Sequence, residues 1–301
     1  MSVFLERLRA GEILLCDGAM GTALMSQGVQ PGSEMDRAAL GRPDLVADIS
    51  RQYLAAGADI IQTHTFSASP ARLEASGLET EMVVINTAAV HIAQSVTLPA
   101  TLVAGDIGPS GCFNAAQLDG NTDLARESFH RQISVLAEQG VDLILAETLS
   151  SPEEARLIVE TTRRISSTLP IVISFHVTKM SRGFRTLFKA SLPKIVAALA
   201  DFPPDVIGLN CGIGIDEYIE AVRELRQLTD IPLICQPNAG VPSSQAHQPF
   251  SPDSPAYMAE RLPALLDAGA VVVGGCCQTT PAHTAAFRRV ISMRSDPLSY
   301  N

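Results

Sequence analysis

Eight short runs of apolar residues recur along the chain at a fairly even spacing, with helical patterns between them. The runs are rich in Val, Ile and Leu and are bounded on both sides, which is typical of strands buried on both faces of a sheet. They occupy residues 12–17, 58–63, 101–106, 142–148, 170–176, 205–210, 231–236 and 270–275. Each run therefore predicts one β-strand of a parallel sheet.

The segments between the runs have the pattern of amphipathic helices. Residues 44–56 place Leu45, Ile49 and Leu54 on one face, and Ser151-Pro152-Glu153-Glu154 is typical of a helix start with a capping box and Pro at the first position. Eight strands that alternate with helices predict a single (β/α)8 TIM barrel, a fold of about 250 residues. We expect one domain over residues 1–301.

The connections between elements are asymmetric in length. Gly57, Gly140 and Gly269 lie just before strands, where a helix end needs a residue with positive φ, so the connections that enter the strands are short. Several segments that leave the strands are long, which predicts a site built from βα loops at the C-terminal face. The Pro- and Ser-rich stretch 241–255 is interpreted as a functional loop or lid. The rival fold, an open doubly wound sheet, would carry a G-x-G-x-x-G fingerprint after its first strand, and DGAMGT does not fit it.

Composition and charge narrow the class of protein. Of 301 residues, 46% are hydrophobic and 18% charged, and the net charge of −10 argues against nucleic acid or an anionic membrane as partner. The N-terminal sequence lacks the apolar core of a signal peptide, and no run is long enough to span a bilayer. We therefore expect a cytoplasmic protein, in which clustered cysteines are metal ligands or catalytic groups and not disulfides.

If the barrel is correct, residues at the ends of the strands converge on one mouth. These residues are Asp17, Thr63, His64, Asp106, Glu147, His176, Asn210, Cys211, Gln236, Asn238, Cys276 and Cys277. Three of the six cysteines are among them, on the sixth and eighth strands, whereas Cys16, Cys112 and Cys235 are expected to be buried and inert.

Three cysteines around one point suit a specific metal. Zinc binds thiolate sulfur in tetrahedral geometry, and a catalytic zinc ion keeps one position open. Gly274 and Gly275 are expected to let the chain turn tightly before Cys276 and Cys277, and a helix that begins near Pro281 would place its positive end beside them.

The chain resembles the homocysteine S-methyltransferase family over essentially its whole length. The matching segments are DGAMGT (17–22), ADIIQTHTFSAS (58–69), VAGDIGPSG (103–111), ETLSSPEEA (147–155), GLNCG (208–212), QPNAG (236–240) and GGCCQTTPAHTAAF (274–287). The resemblance implies a (β/α)8 barrel whose zinc ligands are Cys211, Cys276 and Cys277. GLNCG followed by GGCC is the most specific pair of motifs.

The resemblance also implies a reaction. The thiol of homocysteine would occupy the fourth zinc position, lose its proton and attack an activated methyl group to give methionine. Asp17 and Glu147 would bind the ammonium group of homocysteine.

Further site residues follow from the same resemblance. The backbone of Thr63, His64, Thr65 and Phe66 would hold the amino-acid end of the substrate. Asn238 would offer an oxygen to zinc when no substrate is present.

Members of the family differ in the methyl donor. The segments QPNAGVP and GGCCQTTPAH most resemble the homocysteine module of cobalamin-dependent methionine synthase, so methylcobalamin, free or on a separate corrinoid protein, is the expected donor. Such synthases carry folate and cobalamin modules on the same chain, for which 301 residues leave no room. S-Methylmethionine, a sulfonium, is the alternative donor, and a non-catalytic zinc- or thiol-binding subunit of a methyl-transfer complex is an alternative of another class.

Two further features bear on the donor. The chain has no Trp and four Tyr, which disfavours an aromatic cage for a betaine-type cation, although Phe66, Phe113, Phe175 and Phe184 are available. The loop 178–190 carries four basic residues, which form either a solvated face or a docking surface for a corrinoid protein. They are Lys179, Arg182, Arg185 and Lys189.

Overall fold

The computed structural model describes residues 2–115, 119–240 and 253–295. Eight parallel strands form one sheet, and all eight lie within the predicted apolar runs or within one residue of them. They are β1 (Leu14–Leu15), β2 (Ile60–Gln62), β3 (Leu102–Ile107), β4 (Leu143–Leu149), β5 (Ile171–Phe175), β6 (Val206–Asn210), β7 (Leu233–Gln236) and β8 (Ala270–Val273). The order is β1-β8-β7-β6-β5-β4-β3-β2, and a parallel bridge between Cys16 and Ile60 joins the two ends. The predicted barrel is confirmed and the open sheet is wrong.

One helix follows each strand on the outside of the barrel. These helices are α1 (Pro43–Ala55), α2 (Met82–Val96), α3 (Thr122–Glu138), α4 (Pro152–Ile165), α5 (Leu192–Ala198), α6 (Ile215–Arg226), α7 (Pro255–Asp267) and α8 (Pro281–Ser295). Shorter helical segments are Val3–Arg9, Met20–Ser26, Ser33–Asp36, Ala38–Gly41, Pro70–Glu74 and the 3-10 turn Glu79–Glu81. In the described part of the chain no helix is both long and apolar enough to cross a bilayer.

Two of the long βα connections contain a small antiparallel hairpin. Phe113–Asn114 pairs with Asp119–Gly120 after β3, and Thr178–Met180 pairs with Gly183–Arg185 after β5. Most of the predicted loop 241–255 lies outside the described residues. The predicted domain range 1–301 also extends beyond them and stays a prediction.

Apolar side chains fill the barrel from the inside and coat it from the outside. The inner cluster contains one or two residues from each strand and is joined by Phe4 of the N-terminal helix, which is 0% exposed. Parallel strands covered on both faces need apolar residues on both, which explains why the runs are continuous and do not alternate.

The connections that enter the strands follow one plan. Gly57, Gly140 and Gly269 have φ of +100°, +78° and +115° at helix ends, as predicted. In three of the connections that enter the strands, an aspartate lies directly before the strand. Asp59, Asp142 and Asp205 accept hydrogen bonds from the backbone N–H of Leu15, Val103 and Ile171, at 2.8, 2.7 and 2.8 Å. Each Asp thereby ties its own strand to the start of a neighbouring strand.

The predicted capping box at α4 is half correct. Ser151 accepts a hydrogen bond from the N–H of Glu154 at 3.3 Å, which caps the helix. The Glu154 carboxylate, however, accepts from the N–H and the hydroxyl of Ser110, at 2.7 and 2.5 Å, and so anchors the loop after β3. The tertiary contact replaces the local one because Glu154 is only 2% exposed.

Candidate metal and substrate site

A cavity of about 310 Å³ lies at the C-terminal ends of the strands, where the sequence placed the site. Carboxyl groups, thiols and an apolar wall are among the groups that line it. In that order they are Asp17, Asp106 and Glu147; Cys211, Cys276 and Cys277; and Met20, Met25, Met35 and Phe66. Residues more than 250 positions apart in sequence meet here because parallel strands all end at the same face.

The three thiols converge on one point. Their Sγ atoms all lie within 4.8 Å of one another, and the Sγ atoms of Cys211 and Cys277 are 3.8 Å apart. Sulfurs held about 2.3 Å from a tetrahedral zinc ion are separated by about 3.8 Å. The cluster therefore fits a soft divalent metal, and no backbone movement is needed to form it.

Strained and crowded backbone brings the sulfurs together. Cys211 has φ of +59° and is followed by Gly212 with φ of +70°, where a Cβ would lie 2.6 Å from the ring of His176. Gly274 has no left-handed φ but faces a crowded wall, because a Cβ there would lie 2.8 Å from the Cβ of Cys16. Close approach, and not positive φ, is therefore the reason for glycine before Cys276.

The thiols are electrostatically coupled. Hydrogen bonds from Cys276 and Cys277 lower the pKa of Cys211 well below that of a free thiol. The same bonds raise the pKa values of Cys276 and Cys277. A bound cation would stabilise all three thiolates.

Three carboxyl groups also line the cavity. Burial raises the pKa of Asp17 to about 7 and that of Glu147 to about 8, and it raises the pKa of Asp106 well above its ordinary value. Each group would be stabilised as a carboxylate by a bound cation. A ligand that brings an ammonium group satisfies this requirement.

Asp17 is anchored by its neighbour on β2. Its two oxygens accept hydrogen bonds from the backbone N–H and the side-chain amide of Gln62, at 2.9 and 3.0 Å. Asp17 itself lines the cavity, which is the position expected of a site residue. Gln62 itself lines the cavity, and the sequence analysis gave it no role.

The hydroxyl groups of the segment after β2 are engaged in structure. Thr63 Oγ1 lies 2.6 Å from Thr65 Oγ1, which donates to the carbonyl oxygen of Asp106 at 2.6 Å. The backbone N–H groups of His64, Phe66 and Ser67 donate to no protein acceptor in the described residues. The backbone of this segment, and not its hydroxyl groups, is thus available to a ligand.

Two of the remaining predicted site residues occupy different positions. His64 lines the cavity, and its Nε2 lies 2.8 Å from the carbonyl oxygen of Met35, so it acts as a wall residue. Asn238 does not line the cavity but lies behind the vicinal cysteines, where Ala239 N–H donates to the Cys277 carbonyl at 3.0 Å. Its buried Oδ1 has no hydrogen-bond partner among the residues that the structure describes.

The aromatic and basic residues considered for the methyl donor do not gather at the cavity. Of the four phenylalanines, only Phe66 lines it; Phe175 and Phe184 are buried in the core, and Phe113 packs edge-on against Phe188. In the loop 178–190, Lys179 forms an ion pair with Glu220 of α6. No aromatic cage is therefore formed by these residues.

Two of the other three cysteines are buried as predicted, and the third is not. Cys16 and Cys235 are buried, with 1% and 0% exposure, and Cys112 is half-buried. Burial raises the pKa of all three thiols. They are therefore poor metal ligands in this fold.

A family model agrees with this geometry. The model described as homocysteine S-methyltransferase matches residues 14–291. A relative of that name from Escherichia coli (strain K12) is 28% identical, and the match covers 92% of this chain and 94% of the relative. Methionine synthase from Mycobacterium leprae (strain TN) is also 28% identical over 95% of this chain, which spans only 25% of that longer protein.

Solved structures give the same result. The homocysteine methyltransferase MmuM from Escherichia coli, in its metallated form, superimposes with a TM-score of 0.77 and 28% identity. The superposition covers 94% of this chain and 98% of the other. The likeness therefore extends over the whole barrel, including the face that carries the cavity.

Proposed function

The chain belongs to the homocysteine S-methyltransferase family, and from this premise we propose that it is a zinc-dependent enzyme that methylates homocysteine to give methionine. The observation that supports the proposal best is the cluster of Cys211, Cys276 and Cys277 together with buried carboxyl groups in one cavity. The thiol and the ammonium group of one amino acid fit the two kinds of group in such a cavity.

The Cys cluster would hold the zinc ion. A zinc ion bound there would supply a cation that favours the thiolate form of the substrate thiol at neutral pH. A compartment that keeps thiols reduced, such as the cytoplasm, suits a site of this kind.

The remaining side chains would bind and orient the substrate. Glu147 and Asp17 would accept hydrogen bonds from the ammonium group. These bonds would be strong because the donor and the acceptors carry opposite charges. The free N–H groups of His64, Phe66 and Ser67 would bind the carboxylate. The unpartnered oxygen of Asn238 would complete the metal site before the substrate enters.

The reaction is a displacement at carbon. The sulfur lone pair forms the new bond to the methyl carbon, the bond from that carbon to the donor breaks, and its electron pair stays with the donor. The thiol proton passes to solvent. The donor we propose is methylcobalamin, free or carried by a corrinoid protein, and a sulfonium such as S-methylmethionine is the second candidate.

A methyl-transfer assay tests the proposal. Zinc-loaded protein is mixed with homocysteine and, in parallel, with free methylcobalamin or with S-methylmethionine, and methionine is measured by mass spectrometry. Product from methylcobalamin alone supports the first donor, and product from the sulfonium alone supports the second. If neither donor gives methionine although zinc and homocysteine bind, the chain is better explained as a non-catalytic subunit of a methyl-transfer complex.

A further inference from the structure

Asn210 has no role so far, although it connects three parts of the site. It is the last residue of β6, directly before Cys211, and it is 0% exposed. A buried amide needs partners for its oxygen and for both hydrogens. The partners of Asn210 come from β4, β5 and the segment after β8.

The amide oxygen of Asn210 faces donors. It accepts from the backbone N–H of Thr148 at 2.8 Å and from the hydroxyl of Ser174 at 2.9 Å. Since a backbone N–H is always a donor, this contact fixes which end of the amide is oxygen.

The amide nitrogen consequently faces acceptors. It donates to Thr148 Oγ1 at 2.8 Å and to Glu147 Oε2 at 3.3 Å, and the sulfur of Cys276 lies 3.8 Å away. One side chain thus contacts both the carboxylate proposed for the ammonium group and a proposed metal ligand.

Glu147 reaches the cavity through an irregularity in its strand. The register between β4 and β5 shifts between Ala146 and Leu149, so that β4 carries one extra residue there. Thr148 adopts φ of +58°, a left-handed conformation that is unfavourable for a residue other than glycine. Two hydrogen bonds between Asn210 and Thr148, one in each direction, hold this conformation.

We infer that Asn210 is a positioning residue that sets Glu147 at the correct place in the cavity lined by the thiol cluster, through its clamp on Thr148 and its direct bond to the carboxylate. The inference rests on the proposed function, because it assigns Glu147 to the ammonium group of homocysteine. The inference therefore concerns binding of the ammonium group of homocysteine. Binding of its thiol is assigned to the metal site that the cysteines form.

The test compares two ligands that differ only in the ammonium group. Homocysteine and 4-mercaptobutyrate, which lacks the amine, are titrated into zinc-loaded wild type and Asn210→Ala by calorimetry. We expect Asn210→Ala to weaken homocysteine by about tenfold or more and 4-mercaptobutyrate by less than about threefold, with about one zinc retained per chain.

Two further variants make the result specific. Asn210→Asp keeps the shape and the acceptor for Thr148 N–H but turns an oxygen towards Glu147. It should therefore also lose the preference for homocysteine over 4-mercaptobutyrate, and it provides the test if Asn210→Ala folds poorly. Ser174→Ala removes only the bond on the far side of the amide and should keep the discrimination of wild type.

Other outcomes would overturn the inference. Equal losses for the two ligands, or an equal effect of Ser174→Ala, would make the network merely structural. Unchanged homocysteine affinity in both Asn210 variants would remove the role entirely. A wild-type protein that binds 4-mercaptobutyrate as well as homocysteine would instead refute the ammonium site, and with it the assignment of Glu147 in the proposed function.

Discussion

At the scale of single residues, the cavity collects groups that all ionise to negative charge. Three thiols and three carboxyl groups lie in a cavity of about 310 Å³, and burial raises the pKa values of the carboxyl groups. Such a cluster costs free energy unless cations enter. The metal ion and the ammonium group of the proposed function would supply such cations.

Each of the three cysteines should be needed for zinc. Cys211→Ala, Cys276→Ala and Cys277→Ala are each expected to lose most of the roughly one equivalent of zinc that we expect, because two thiolates do not complete the site. Metal analysis measures the loss, and circular dichroism checks that the barrel remains folded. Cys235→Ala, which changes a buried thiol of β7, is the matched control and should keep its zinc; metal retained in all three site variants would contradict the assignment.

Glu147 should act on the amino group and not on the metal. Glu147→Gln keeps the shape of the side chain but removes the charge, so we expect homocysteine affinity to fall by about tenfold or more with the zinc content unchanged. Calorimetry gives the affinity. Glu154→Gln alters a buried carboxyl group that is bonded to Ser110 and lies outside the cavity lining, and it should leave homocysteine affinity near that of wild type. Unchanged affinity in Glu147→Gln would remove the residue from this role.

At the scale of elements, the ends of the strands do different work. The N-terminal ends carry glycine and aspartate in short connections, and these residues satisfy backbone groups of neighbouring strands. The C-terminal ends carry the longer connections and the functional groups. The two ends can therefore be altered separately, as in other barrels of this type.

Asp205 should contribute to stability without affecting the site. Its Oδ2 accepts from the N–H of Ile171 at 2.8 Å and from Arg163 at 2.7 Å. Asp205→Ala leaves a strand N–H without its acceptor, and we expect the free energy of unfolding to fall by about 1.5–3 kcal/mol. Urea titration measures this change, and the exposed Asp201→Ala is the control. A loss of homocysteine affinity in folded Asp205→Ala would show that the two faces are not independent.

At the scale of the whole molecule, the site exists only when the barrel is closed. The thiol cluster joins the segment after β6 to the segment after β8. The carboxyl groups come from β3, β4 and the segment after β1. A ligand that binds the folded state and not the unfolded state must therefore stabilise the protein.

Removal of zinc should lower the melting temperature. At a zinc concentration one hundredfold above the dissociation constant the stabilisation is about 2.7 kcal/mol, which corresponds to about 4 °C for a chain of this size. Scanning calorimetry with and without a chelator measures the shift. In Cys277→Ala the chelator should have almost no effect, and a shift of the same size in this variant would place the stabilising ion elsewhere.

The substrate-free and metal-free protein should lose stability as pH rises. Burial raises the pKa of Asp17 from 3.8 to about 7, so the folded state holds this proton more tightly than the unfolded state. The resulting stabilisation is complete below about pH 4 and disappears as pH rises through about 7, with a slope of up to about 1.4 kcal/mol per pH unit.

Asp17→Asn isolates this contribution, because the other titrating groups are common to both proteins. Urea unfolding at pH 5 and pH 7.5 should show a smaller decrease in the variant than in wild type. The same decrease in both proteins would mean that Asp17 is ionised in the folded state at both pH values.

The sequence by itself determined the elements and the residues that could bind a metal ion. Continuous apolar runs specify strands buried on both faces, and a glycine before the strand specifies the turn, because these preferences depend on the residue and its neighbours in sequence. Cys211, Cys276 and Cys277 were identified as candidate metal ligands because they lie at the ends of two strands and match the motifs GLNCG and GGCC. Asp17 and Glu147 were identifiable for the same positional reason.

Only the tertiary structure decided how the rest of the site is arranged. It turned Glu154 from a helix cap to an anchor for Ser110, engaged the hydroxyl groups of Thr63 and Thr65, and made Asn210 the clamp of Thr148. These roles depend on which groups of other strands lie within about 3 Å, and hydrogen bonding of a buried polar group is satisfied by whatever partner the packing brings near. Sequence spacing carries no record of those distances.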